Sequence, residues 1–174
     1  MRRTLICVLF ALAFALSAAR LANAQQTIFI ARHAERADAG SPTPPPAGAD
    51  PDLSDIGRAR AASLAGVLKD AGITAIFATE FKRTQQTAAP AAKALGLPVI
   101  TVKSGDTASL LAQLKAAKGN ALVIGHSNTI PPIVKALGIA TPPAIADDEF
   151  DKLFLVTPAG EPKGPPTLLT LHYR

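Results

Sequence analysis

Two short apolar runs in this chain end abruptly in a histidine: residues 27–31 lead into Arg32-His33, and residues 121–125 lead into His126. Runs of this length, rich in β-branched or aromatic residues and bounded by charge or glycine, read as buried strands. A buried strand that stops at a polar residue delivers that residue to its C-terminal end. Helical patterns and further strands alternate around them. Ser54 is an N-cap for a helix to about Asp70, with apolar positions Ile56, Leu64, Val67, Leu68 and Ala71 at helical spacing and Gly72 as its stop. Residues 75–78 form a second strand and residues 83–95 a second helix, in which Pro90 demands a kink or a break. A third strand (98–102), a third helix (107–117) and a fourth helix (129–137) entered through Pro131 and Pro132 follow. Strands at 152–157 and 167–173 are separated by a hairpin or return at 158–166. The alternation predicts an α/β fold, a three-layer α/β/α sandwich with a mostly parallel sheet, and an antiparallel C-terminal edge if the last two strands pair.

The first residues have the pattern of an export signal. Arg2 and Arg3 give a positive start, residues 5–19 are almost wholly apolar, and Ala22-Asn23-Ala24 places small residues where signal peptidase cuts. The apolar run falls short of the roughly 20 residues that span a bilayer. Residues 1–24 are therefore expected to be removed, leaving 25–174 as one domain, a size suited to a single core. Cleavage discards Cys7, the only cysteine, so no disulfide is expected. The formal charge of +5 includes Arg2, Arg3 and Arg20, and losing these leaves +2. No run of lysine and arginine interleaved with aromatics remains, which argues against a nucleic-acid partner. The expected location is the periplasm or the exterior, with no stable membrane insertion after cleavage.

Ligands of open α/β sheets bind outside the carboxyl ends of the strands, so His33 and His126 are expected at one rim. Arg83, near the start of the second helix, comes to the same rim, where a helix N-terminus also favours anions. Alone, each of these residues reads as a capping or surface group. The chain has three histidines, however, and two fall at these strand ends; His172, on the last strand, reads as structural. Arg32, Arg83, His33 and His126 together make an oxyanion pocket suited to phosphate.

Four ordered blocks carry a family resemblance. Ile30-Ala31-Arg32-His33-Ala34-Glu35-Arg36 resembles the Arg-His-Gly signature of the histidine phosphatase superfamily, which includes phosphoglycerate mutases and bacterial phosphohistidine phosphatases. Leu53-Ser54-Asp55-Ile56-Gly57-Arg58-Ala59, Phe81-Lys82-Arg83-Thr84-Gln85-Gln86-Thr87-Ala88 and Val123-Ile124-Gly125-His126-Ser127-Asn128-Thr129 agree in order and spacing, so that the resemblance spans residues 27–137. It implies that His33 attacks phosphorus and forms a phosphohistidine that water hydrolyses, a role for which neutral imidazole is suited. It implies that Arg32, Arg83 and His126 bind the phosphoryl oxygens, that His126 joins His33 as a catalytic residue, and that no cofactor or metal is needed.

The sequence departs from the family pattern at two points. Ala34 stands where glycine is usual, a change tolerated at ordinary φ. Mutase-like members place a proton-donating glutamate between the second arginine block and the second histidine block, whereas residues 89–122 contain no glutamate and Asp106 is the only acid there. Glu149, within the acidic cluster at 147–151, and Glu35, beside the nucleophile, are candidate acids; Glu80 reads as a helix-start charge, and the acidic cluster otherwise reads as a solvated loop. Phosphoramidates and acyl phosphates, whose leaving groups need less protonation, relax the requirement.

The leading reading is an exported phosphatase acting on a small phosphorylated substrate or a phosphoprotein. The missing glutamate keeps open a non-catalytic phosphate-binding or interaction protein, which the Arg32-His33 pair argues against. Mutase activity is set lower, because export separates the protein from glycolytic intermediates and the long insertions of mutases are absent. The loops at 37–52 and 139–151 are expected to set specificity.

Overall fold

The computed structural model describes residues 26–39, 46, 48–159 and 164–174, so the expected leader, Pro44, Pro45 and the tip between the last two strands lie outside the described residues. Six strands form one sheet: β1 (Ile28–Arg32), β2 (Ile73–Thr79), β3 (Val99–Val102), β4 (Asn120–Gly125), β5 (Lys152–Thr157) and β6 (Thr167–His172), in the order β3-β2-β4-β1-β5-β6. The first four strands in that order are parallel, and β5 and β6 add the antiparallel edge. Among the described residues, four helices connect them: α1 (Asp55–Leu68), α2 (Lys82–Leu95), α3 (Thr107–Ala116) and α4 (Ile130–Ala136).

The period of two along a strand divides the core into two layers. Phe29 and Ala31 of β1 pack with Leu64 and Leu68 of α1 and with Ala88 and Ala91 of α2. Ile28 and Ile30 turn the other way, onto Leu110 and Leu114 of α3 and Ile133 and Val134 of α4. This is the expected α/β/α sandwich. Four successive buried apolar residues on β1 follow from its central place, where both sheet faces are covered.

Two local expectations are corrected. Pro90 does not break α2, which is continuous from Lys82 to Leu95; the one backbone bond that proline removes is offset by burial of Ala88, Ala91 and Ala92 against the sheet. In α1, Ile56 and Val67 are not core residues but are 67% and 51% exposed. The buried stripe is Gly57, Ala61, Leu64, Ala65 and Leu68. Small residues on that stripe let α1 approach α2 and the segment after β1 closely. Ser54 caps α1 as expected, its side chain accepting from Gly57 N at 3.0 Å.

Register places the two histidines. Arg32 of β1 is opposite Gly125 of β4, and His33 N donates to Gly125 O at 2.9 Å, extending the ladder by one residue. Crossovers leave β1 for β2 on one side and β4 for β5 on the other, so a crevice opens at the centre of the sheet, where His33 and His126 emerge.

Candidate active site

His33 and His126 are 5% and 6% exposed, with ring centroids 5.3 Å apart in an edge-on arrangement. His33 Nδ1 lies 2.8 Å from Ala34 O. A carbonyl only accepts, so the proton of the neutral ring sits on Nδ1 and the lone pair on Nε2. Ala34 N in turn donates to Thr87 Oγ1 at 2.9 Å, and Thr87 donates to Arg83 O at 2.7 Å. The backbone beside the nucleophile candidate is thereby tied to the arginine helix. No described non-glycine residue has positive φ, so Ala34 sits at an ordinary φ where glycine is usual.

Each arginine has a phenylalanine on its face. Arg32 Cζ is 4.1 Å from the Phe150 centroid and Arg83 Cζ is 4.3 Å from that of Phe81. The same rings reach the histidines, Phe150 at 6.0 Å from His33 and Phe81 at 5.3 Å from His126. Arg32 Nη1 donates to the carbonyls of Ala146, Asp147 and Glu149 at 2.8, 2.9 and 3.2 Å, and Arg83 Nη1 reaches Asp50 at 3.4 Å. The Nε atoms of both arginines are buried and have no partner among the described residues. Two buried charged donors in want of an acceptor mark a site for an oxyanion.

The electrostatics agree with this convergence. Burial first, then the charges of His126, Arg32 and Arg83, pull the His33 pKa down to about 3, opposed by the bond to Ala34. Burial first, then Arg83, lowers that of His126 to about 4, opposed by Glu80 and Asp50. Both rings are therefore neutral at ordinary pH. Burial also lowers Arg32 and Arg83, which remain cations.

The candidate acids are engaged by cations. Glu35 accepts from Arg60 Nε at 2.8 and 2.9 Å and pairs with its Nη2 at 2.7 Å. Glu149 pairs with Lys152 and accepts from Ala146 N at 2.8 Å, shaping the loop whose carbonyls hold Arg32. Glu80 does not start the helix, as its sequence position suggested; it accepts from Ser104 N at 2.7 Å. Its charge still acts on His126 and Arg83. Asp106 caps α3 through Ser109 N at 3.0 Å. The α2 N-terminus is also not left open for an external anion, because Lys82 N donates to the Asp50 carboxylate at 3.0 and 3.1 Å. Sequence reasoning did not single out Phe81, Phe150, Asp50 or Thr79 as site residues. Phe81 and Thr87 belong to the segment 81–88 around Arg83, but nothing in one dimension places Phe150 over Arg32.

A family model described as "Histidine phosphatase superfamily (branch 1)" matches residues 28–104, which include Arg32, His33 and Arg83. Among solved structures, the mycobacterial glucosyl-3-phosphoglycerate phosphatase in complex with VO3 is similar at TM-score 0.65 and 16% identity, over 85% of this chain and 99% of that one. The protein histidine phosphatase SixA complexed with tungstate has TM-score 0.63 and 22% identity, over 84% and 96% of the two chains. The fold is that of these phosphatase structures, and residues 28–104 resemble the histidine phosphatase superfamily. A structure titled as a putative alpha-ribazole-5'-P phosphatase from Escherichia coli shares this histidine phosphatase fold at TM-score 0.65 and 16% identity, over 84% and 96% of the chains. A sequence comparison with curated proteins found no match. The matched family segment ends before β4, so His126 joins Arg32, His33 and Arg83 through the fold, by the pairing of Arg32 with Gly125.

Proposed function

We propose that this chain is an exported phosphatase that hydrolyses a phosphomonoester or phosphoramidate, of a small molecule or a phosphoprotein, through a phosphohistidine on His33. The observation that carries the reading is the free Nε2 of His33 beside two buried, unpartnered arginine Nε donors. A phosphoryl oxygen that accepts from both arginines brings phosphorus to the imidazole. The Nε2 lone pair forms the N–P bond as the bond to the leaving group breaks. Arg32, Arg83 and His126 offset the charge on the equatorial oxygens. Water then displaces the histidine and releases phosphate. Because Glu35 and Glu149 are held by Arg60 and Lys152, the arrangement favours substrates whose leaving group departs with little protonation.

Rapid quench with labelled substrate tests the reading. An acid-labile, base-stable phosphoryl group is expected on wild type and absent from His33→Ala, with turnover lowered by on the order of 10⁶. Arg83→Ala is expected to cost about 3 kcal/mol of transition-state stabilisation while retaining the covalent step. Full turnover by His33→Ala would place the nucleophile elsewhere. Failure of wild type on sugar phosphates, nucleotides, phosphopeptides and phosphohistidine alike would favour a phosphate-binding protein on the same fold. Export is a separate claim: the mass of the protein from its native host should correspond to a chain beginning at Gln25, and an intact Met1 on the major species would refute it.

A further inference from the structure

His126 faces a conflict of hydrogen-bond roles. To assist a phosphoryl oxygen it must donate, yet burial and two nearby arginines keep the ring neutral, with one proton for two nitrogens. Nε2 lies 2.9 Å from Thr79 Oγ1, and Nδ1 has no partner among the described residues. A carbonyl or carboxylate at the position of Thr79 Oγ1 would hold the single proton on Nε2 and leave Nδ1 an acceptor. That arrangement would repel a phosphate. A hydroxyl can also donate, and a hydroxyl is what the chain places there.

Thr79 does not act alone. Its Oγ1 is 2.9 Å from Thr84 Oγ1, both side chains are buried, and Thr84 Oγ1 also lies 2.7 Å from Phe81 O and 2.9 Å from Thr79 O. Two orientations of this pair satisfy the donors. In one, His126 Nε2–H donates to Thr79, Thr79 to Thr84, and Thr84 to Phe81 O. In the other, Thr84 donates to Thr79 and Thr79 donates to a bare Nε2, so the ring proton sits on Nδ1. The second orientation strands no carbonyl. Phe81 O still accepts from the backbone N of Thr84 and Gln85 at 3.0 and 3.1 Å, and Thr79 O from Gln85 Nε2 at 2.6 Å. The hydroxyls only rotate; the ring exchanges its own proton with solvent through Nδ1, and the proton count is the same in both states.

We propose that Thr79 and Thr84 are positioning residues that let a neutral His126 present Nδ1–H to a phosphoryl oxygen, by turning the Thr79 hydroxyl into a donor toward Nε2. This rests on the phosphatase reading for the identity of the oxyanion. Anion binding then selects the Nδ1–H tautomer of His126, with no movement of the backbone.

The test uses the mature protein labelled with ¹⁵N and titrated with orthovanadate, the His126 ring nitrogens being read by long-range proton–nitrogen correlation. Wild type is expected to carry its proton on Nδ1 in the vanadate-bound form and to have a bare Nε2. Thr79→Val, close in shape but unable to donate, should weaken vanadate binding about tenfold, equivalent to about 1.4 kcal/mol, and Thr79→Ser should restore binding and the Nδ1–H signature. Rescue by serine but not valine separates the hydroxyl from simple packing, and Thr79→Ser also serves if Thr79→Val folds poorly. Tight binding by a folded Thr79→Val, or a bound His126 that is doubly protonated or protonated on Nε2, would overturn the proposal. A wild type that binds vanadate with the Nδ1–H tautomer but turns over no phosphorylated substrate would support the hydroxyl pair while overturning the phosphatase reading.

Discussion

Phe150 lies flat enough against Arg32 to put the guanidinium carbon 4.1 Å from its ring centroid, while three carbonyls of the preceding loop hold the same side chain by Nη1. Arg32 is thus fixed from two sides by one segment. Cation–π contacts contribute about 0.5–2 kcal/mol, more when desolvated. Phe150→Ala should therefore weaken vanadate or phosphate binding several-fold, with Phe150→Tyr close to wild type. Calorimetric titration of the three proteins checks this, and equal affinities would mean the carbonyls alone hold Arg32.

Two glycines of α1 should respond in opposite directions to the same substitution. A Cβ on Gly57 would stand 2.2 Å from Glu35 O, which already accepts from Ser54 N at 2.9 Å. Gly57→Ala should cost about 1–3 kcal/mol and lower activity, because the displaced backbone lies two residues from His33. At Gly66 a Cβ meets nothing within 4 Å. Gly66→Ala should stabilise by up to about 1 kcal/mol through helix propensity. Urea melts of both variants decide the comparison.

Stability should fall on mild acidification. The folded pKa values of His33 and His126, about 3 and about 4, lie below the ordinary 6.5, chiefly through burial. The unfolded chain therefore takes up these protons first. Stability from the two rings is full above pH 6.5 and declines as pH falls toward 4, by about 2 kcal/mol per histidine at pH 5. Urea denaturation at pH 7 and pH 5 should show this decline. His33→Asn, which removes one titration, should show a smaller difference, and an unchanged one would mean His33 titrates alike in both states.

Thr87 should matter beyond its contribution to packing. It is fully buried and takes the Ala34 amide as a donor at 2.9 Å. Thr87→Val leaves that amide without an acceptor, at a cost of about 1–3 kcal/mol, and frees the backbone that orients His33. Thr87→Ser should keep the bond. Lower kcat in the valine variant with near-normal kcat in the serine variant is the expected pattern.

The sheet was legible because its central strands are continuous apolar runs: residues 28–31 and 121–125 could be neither amphipathic helices nor loops. The helices were legible from caps and spacing, with Ser54 capping α1 where it was expected. The buried face of α1 was misread because two large aliphatics, Ile56 and Val67, point to solvent and small residues make the contact. The rim residues followed from strand ends. The surroundings of the arginines did not, since Phe150 reaches Arg32 only after β5 has reversed direction beside β1.

The position of β1 has a kinetic cost. It is the first of the described strands to be synthesised, yet both its neighbours, β4 and β5, come from late in the chain, while β2 and β3 can pair at once. Until β4 emerges, an apolar segment destined for full burial has no partner and both its edges are open. Such topologies fold slowly and expose aggregation-prone edges while they wait. Under the export proposed above, that delay would be an advantage: the strand carrying Arg32 and His33 would not close into the sheet until most of the chain had crossed the membrane.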